Sequence, residues 1–190
     1  MENKNKFNYR IEGILLHVAI NLHRTKDVKN RVKALSIFEI IDSLYWLGYY
    51  HEHGYGGLEI NDEKAMNYYK KSVYRENYYK KSVYGKNEIN AMCRYAIYLI
   101  KTSEKKENRE IKDKEIQSEI TYLFRKAAIL NNDDGRYYYG DIILNGKLGN
   151  EVNIIEGMRF IDQAVKNGHE KAKLLSKEIF ENWDKLFINL

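Results

Sequence analysis

Apolar residues near the start of the chain recur at helical intervals. Between residues 9 and 23, Ile11, Ile14, Leu15, Val18, Ala19 and Leu22 stand three or four apart, which places them on one face of an α-helix. The polar residues 1–8 before them read as a flexible start. A polar connection over 24–30 leads to a second helix over about 31–41, striped by Val32, Leu35, Phe38 and Ile41. These two helices make a first, degenerate hairpin. Asp42 or Ser43 is placed to cap the next helix.

The clearest pattern begins there and spans residues 43–85. A helix over 43–53 carries Leu44, Leu47 and His51 on one side with Gly48 beside them, and Gly54 ends it. Glycine stops helices because it enters the left-handed conformation without steric cost. Gly57 lies in the turn, and Asn61 or Asp62 caps a partner helix. The layout returns over 135–174, where Gly140, Gly146 and Gly149 match Gly48, Gly54 and Gly57. A missing side chain at Gly48 and Gly140 allows a neighbouring helix to approach closely. The second helix of this unit, over about 155–167, carries Met158, Ile161, Ala164 and Val165. Gly168 is a second left-handed stop, and a final helix from Ala172 to Trp183 and Leu186 reads as a cap on the array.

Between these units the pattern is weathered. Ala91, Met92, Tyr95, Ala96 and Leu99 stripe a helix over about 88–101, and Ile116, Ile120, Leu123, Phe124, Ala127 and Ala128 stripe its partner. The charged stretch 102–113 replaces the glycine turn, as a longer connection or a solvated helix extension. Residues 67–76 and 77–86 are near-copies, identical at eight of ten positions. Ten residues turn a helix through about 1000°, about 80° short of three turns. The absence of a helix breaker favours one long helix, closed by Gly85, over a looped-out copy.

No single hairpin of this size buries its apolar face alone, so the hairpins must stack. The chain is therefore expected to be all-α, an α-solenoid of antiparallel helix pairs: one domain over 9–190 with about four hairpins and a C-terminal capping helix. Composition agrees. The chain has 190 residues and no proline, and helix interiors tolerate proline poorly. One cysteine, Cys93, precludes an internal disulfide. The net charge of +5 is moderate and speaks mainly to solubility. The first apolar run is too short to span a bilayer and has no clear cleavage site. A cytoplasmic protein without membrane insertion is expected, with export lacking an amino-terminal signal left open.

These residues resemble the Sel-one-like repeat family, a branch of the tetratricopeptide-repeat superfamily. One unit carries the likeness on Ser43, Leu47, Gly48, Gly54, Gly57, Asp62, Ala65, Tyr68 and Tyr69, and the last on Gly135, Tyr139, Gly140, Gly146, Gly149, Gly157, Phe160, Ala164, Gly168 and Ala172. The middle unit keeps Ala91, Tyr95, Ala96, Leu99, Ala127 and Ala128 without the turn glycines. The resemblance covers about 43–175, and 9–42 only by periodicity. It implies a right-handed superhelix that binds a protein or peptide on its concave face and carries no catalysis.

Candidate chemistry is sparse. His51 and His53 are two apart on a helix and point in different directions, so no metal site is expected. No zinc-protease, phosphate-loop or nucleophile motif is present, and no cofactor is implied. An enzyme with an unrecognised site is the remotest reading. The candidate protein-binding residues are Trp46, Tyr49, Tyr50, Arg94, Tyr98, Arg136 and Tyr138, large or charged side chains on the first helix of each pair, of the kinds that anchor interfaces. Each could equally pack between repeats. The rival reading is nucleic acid held by Tyr68, Lys70, Lys71, Tyr78, Lys80 and Lys81, where lysines and stacking rings interleave. Self-association through the duplicated 67–84 stretch is a third reading.

Overall fold

The computed structural model describes residues 2–75, 78–107 and 113–181, and their side chains except at 2–7, 78–84 and 104–107. Among the described residues there are helices and turns but no strand. The helices are α1 (Glu2–Arg24), α2 (Val28–Ile40), α3 (Leu44–His53), α4 (Asp62–Val73), α5 (Tyr78–Glu107), α6 (Lys114–Ile129), α7 (Asp133–Leu144), α8 (Ile154–Lys166) and α9 (Glu170–Glu181). The chain divides into two compact units, Met1–Tyr95 and Ala96–Leu190.

Within the first unit α1 packs on α2, α2 on α3 and α3 on α4; within the second, α6 packs on α7, α7 on α8 and α8 on α9. These are stacked antiparallel helix pairs, the architecture of a helical-repeat protein. Its local causes are those that the sequence suggests. Asp27, Asn61, Asp113, Asn132 and Asn153 each cap a helix by accepting a hydrogen bond from an amide of its first turn, which satisfies a donor that the helix itself cannot. Gly54 and Gly146 stop α3 and the α7 turn with φ of 65° and 61°.

The glycines of the helix crossings are needed for contact. A Cβ at Gly48 would stand 2.8 Å from the Tyr69 ring on α4, and one at Gly140 would stand 2.9 Å from Ile161 on α8. At Gly135 it would meet the α6 backbone, 2.7 Å from the Ala128 nitrogen. The first unit closes over Leu16, Ala19, Ala34, Leu35, Phe38, Ile41, Leu47 and Tyr50. In the second, Ile161, Ala164 and Ala172 form the contact of α8 with α9.

Three local expectations are revised. Helix α1 begins at Glu2, within the stretch read as a polar start. Ser43 is the N-cap residue of α3, yet its hydroxyl makes no cap bond and is enclosed without a hydrogen-bond partner among the described residues. The duplicated segment is not one continuous helix: α4 ends at Val73, and α5 starts at Tyr78 and runs through Gly85 to Glu107. A contact distant in sequence accompanies the break. Arg75, just after the end of α4, donates to the Asp42 carbonyl at 3.0 Å and to its carboxylate at 2.5 Å, drawing the chain toward the α2–α3 connection. The charged stretch after residue 101 continues α5 to Glu107; residues 108–112 lie outside the described ones, as do Trp183 and Leu186 of the expected cap.

Candidate functional site

Helix α3 and the turn after it gather the aromatic residues of the first unit. Gly54 and Gly56, both at positive φ, fold the 3-10 turn Tyr55–Gly57 back on itself. Tyr55 thereby comes within ring contact of Tyr49, Tyr50 and His53, at centroid distances of 5.9, 5.7 and 5.3 Å. From α1, His23 reaches the same place and touches Trp46, Tyr49, Tyr50 and Tyr55, all between 5.1 and 5.7 Å. Its Nδ1 is hydrogen bonded to the Tyr50 hydroxyl at 3.2 Å. Tilted and edge-on ring contacts of this kind add stabilisation beyond area burial.

Electrostatics follow from this enclosure. The His23 imidazole is held below its ordinary pKa, first by burial and then by the nearby Arg31, with smaller effects from His53 and Arg24. Burial pushes the Tyr50 hydroxyl up to about 12. Tyr69 is pushed up further, by burial and by donating to Glu52 at 2.6 Å. The other Glu52 oxygen accepts from Arg94 at 3.2 Å, so one carboxylate braces α3 to α4 and α5. His51 is also lowered, by burial and by Lys64.

The predicted residues divide by position. Tyr50 and Tyr98 are interior, at 0% and 3% exposure, which removes both from the reachable surface and corrects that expectation. Trp46 and Tyr49 are half-buried in the α3 cluster; Trp46 stacks flat on Phe38 at 5.1 Å, and its indole nitrogen is enclosed with no partner among the described residues. Arg94 belongs to the Glu52 brace. Arg136 donates to Asp133 and Asn131 at 2.9 and 2.5 Å, tying α7 to the turn before it. Tyr138 stacks on Phe124 at 4.7 Å and its hydroxyl accepts from Lys171 at 3.2 Å. In the second unit, then, the candidates are engaged in holding helices together.

On the nucleic-acid side, Tyr68 stacks on His51 at 5.5 Å, and Lys70 and Lys71 are exposed on α4. The side chains of Tyr78, Lys80 and Lys81 lie outside the described ones. His51 and His53 do diverge, one toward Tyr68 and the other toward Tyr49 and Tyr55. Among the described residues no group of three His, Cys, Asp or Glu could hold a metal ion, and no helix is long and apolar enough to cross a membrane.

Four contributors to the α3 cluster escape the sequence reading: His23, Arg31, Tyr45 and Tyr55. Arg31 lies with its guanidinium carbon 4.0 Å above the Tyr55 ring, and Tyr45 stacks on Tyr49 at 6.2 Å. Tyr55 had a signal, since it sits between turn glycines one residue after a helix stop. His23 and Arg31 had none, because nothing local marks which helix they will face.

The two glycine-rich units also share a backbone hydrogen bond. The Asn61 amide donates to the His51 carbonyl at 2.9 Å, and the Asn153 amide donates to the Ile143 carbonyl at 2.7 Å. With the glycine crossing, the left-handed stop and the asparagine cap, this makes the units copies of one structural element. The Sel1 repeat family matches residues 41–77 and 134–169. These two segments are Sel1 repeats. No curated protein matches the chain. The Sel1 segments cover α3–α4 and α7–α8, so the aromatic cluster lies at the edge of the first Sel1 repeat, where α1 and α2 lean on it.

Proposed function

We propose that this Sel1-repeat chain is a non-catalytic scaffold that binds a protein or peptide through the first-helix surface of its repeats, with α3 as the principal contact. The observation that carries this reading is the run of half-buried rings Tyr45, Trp46 and Tyr49 along α3, continued by His53 and Tyr55. Rings that keep one face in the cluster and another toward solvent are already ordered, so binding them costs little further side-chain entropy. Tyr138 is the corresponding half-buried ring on α7.

Photo-crosslinking tests the reading. A benzophenone side chain placed at Tyr45 or Tyr49 is expected to trap a discrete protein from the native host, while the same group at Lys70 on α4 is not. Crosslinking that is equal at Tyr45, Tyr49 and Lys70, or confined to nucleic acid at Lys70, overturns it.

A further inference from the structure

Four arginines are half-buried among the described residues: Arg31, Arg75, Arg94 and Arg136. Three of them hold a carboxylate, on Asp42, Glu52 and Asp133 respectively. Arg31 differs. Among the described residues its side chain makes no ion pair and no hydrogen bond; its guanidinium lies against the Tyr55 ring, and its Nε is enclosed without a partner. Burying part of a guanidinium without a counter-charge is costly, and Arg31 also stands in the first turn of α2, where the helix dipole disfavours a cation. Arg31 and Arg24 are the fixed cations that act on His23, beside it, and no carboxylate is among the groups that do. Glu52, the nearby carboxylate acting on Tyr49, is engaged by Tyr69 and Arg94.

We infer that Arg31 is the anchor of an acidic-peptide site: a glutamate or aspartate of the bound partner completes the ion pair that this chain leaves open, on the rim formed by Arg31, Tyr55, Tyr49 and His53. This deepens the scaffold reading and rests on it. Charge complementarity selects the occupant, since a planar guanidinium backed by a ring offers a fork that matches a carboxylate. Arg31, with Arg24 near it, steers an acidic segment and repels a basic one.

Hexaglutamate is the probe, titrated calorimetrically into the full chain at low salt beside hexaglutamine and inorganic phosphate. Hexaglutamate is expected to bind and hexaglutamine is not. Arg31→Gln should weaken binding about ten-fold and Arg31→Lys by less, since lysine keeps the charge and loses the fork; circular dichroism on both variants checks that the helices persist. Hexaglutamate binding that is unchanged in Arg31→Gln, or phosphate binding at least as tightly as the peptide, overturns the inference. A peptide array separates it from the reading it rests on. Non-acidic peptides that bind equally to the native chain and Arg31→Gln, with acidic ones silent, would leave the scaffold standing and remove the acidic site. Silence across the whole array would count against both.

Discussion

The two Sel1 segments share a skeleton and differ in what fills it. In both, a helix with a glycine crossing is followed within two residues by a left-handed glycine, turns through a 3-10 segment, and returns through an asparagine whose amide bonds back to the first helix. On the α3–α4 pair stand Tyr50, bonded to His23, and Glu52 and Tyr69, joined to each other by a charged hydrogen bond that extends to Arg94. At the matching places of α7 and α8 stand Ile142, Leu144 and Ile161, with Gly157 set directly under Leu144. One repeat is braced by polar groups and rings, the other by close aliphatic packing. The skeleton depends on the backbone and so survives either filling. The filling decides which repeat has chemistry to offer a partner.

The largest test of that contrast is in the aliphatic repeat. A Cβ at Gly157 would stand 2.9 Å from the Leu144 Cβ and 3.0 Å from both the Leu144 Cα and the Gly140 carbonyl oxygen. Backbone cannot move aside as a side chain can, so Gly157→Val should destabilise the second unit by about 3 kcal/mol, read by denaturant unfolding. A loss below about 1 kcal/mol would mean that the helices are not held this close.

Next comes the polar brace. Glu52→Leu places in α3 the residue that α7 carries, but it removes the acceptor shared by Tyr69 and Arg94. A cost of about 2 kcal/mol is expected. Adding Tyr69→Phe should recover about 1 kcal/mol of it, because a group that no longer needs an acceptor loses nothing. Additive effects in the double-mutant cycle would show that the brace is not a coupled unit.

A smaller effect concerns pH. The folded pKa of His23 lies below its ordinary 6.5, so the folded first unit favours the neutral ring. The stability this supplies is complete above the unfolded pKa and is lost as pH falls from there through the folded value. The first unit should therefore loosen below about pH 6.5, seen as a change in Trp46 fluorescence in a Trp183→Phe background. His23→Phe, which keeps a ring in the cluster, should flatten that response. A response unchanged by His23→Phe would assign it elsewhere.

The smallest effect should be the most symmetrical. Asn61→Ala and Asn153→Ala each delete a cap in the shared skeleton, and each should cost about 1 kcal/mol. Clearly unequal costs would mean that the two turns are not the same element.

The helix pairs, their stops and the close crossings at Gly48 and Gly140 are legible in the sequence because each rests on local causes. Apolar spacing marks a buried face, an asparagine before a helix supplies a cap, and glycine marks a left-handed turn or a missing side chain. The candidate site is legible only in part. Trp46 and Tyr49 can be named, but nothing near Tyr50 in sequence says that its ring will be enclosed while that of Tyr49 keeps an exposed edge.

The duplicated octet Asn-Tyr-Tyr-Lys-Lys-Ser-Val-Tyr shows where local information ends. The first copy, 67–74, runs past the end of α4 at Val73, while α5 starts within the second, at Tyr78. Identical residues have identical propensities, so the choice comes from outside the octet; Arg75, after the first copy, reaches Asp42 across 33 residues, a contact that Gly85, after the second, has no side chain to make. Arg31 over Tyr55 and His23 among four rings are likewise contacts distant in sequence. The sequence by itself determined that this chain folds into helix pairs with glycine-set contacts, because helix periodicity and backbone conformation act over a few residues. Which rings face inward, where the repeated octet breaks, and which arginine is left without an acid were decided only when distant helices packed together, since burial and ion pairing depend on neighbours that the local chain does not specify.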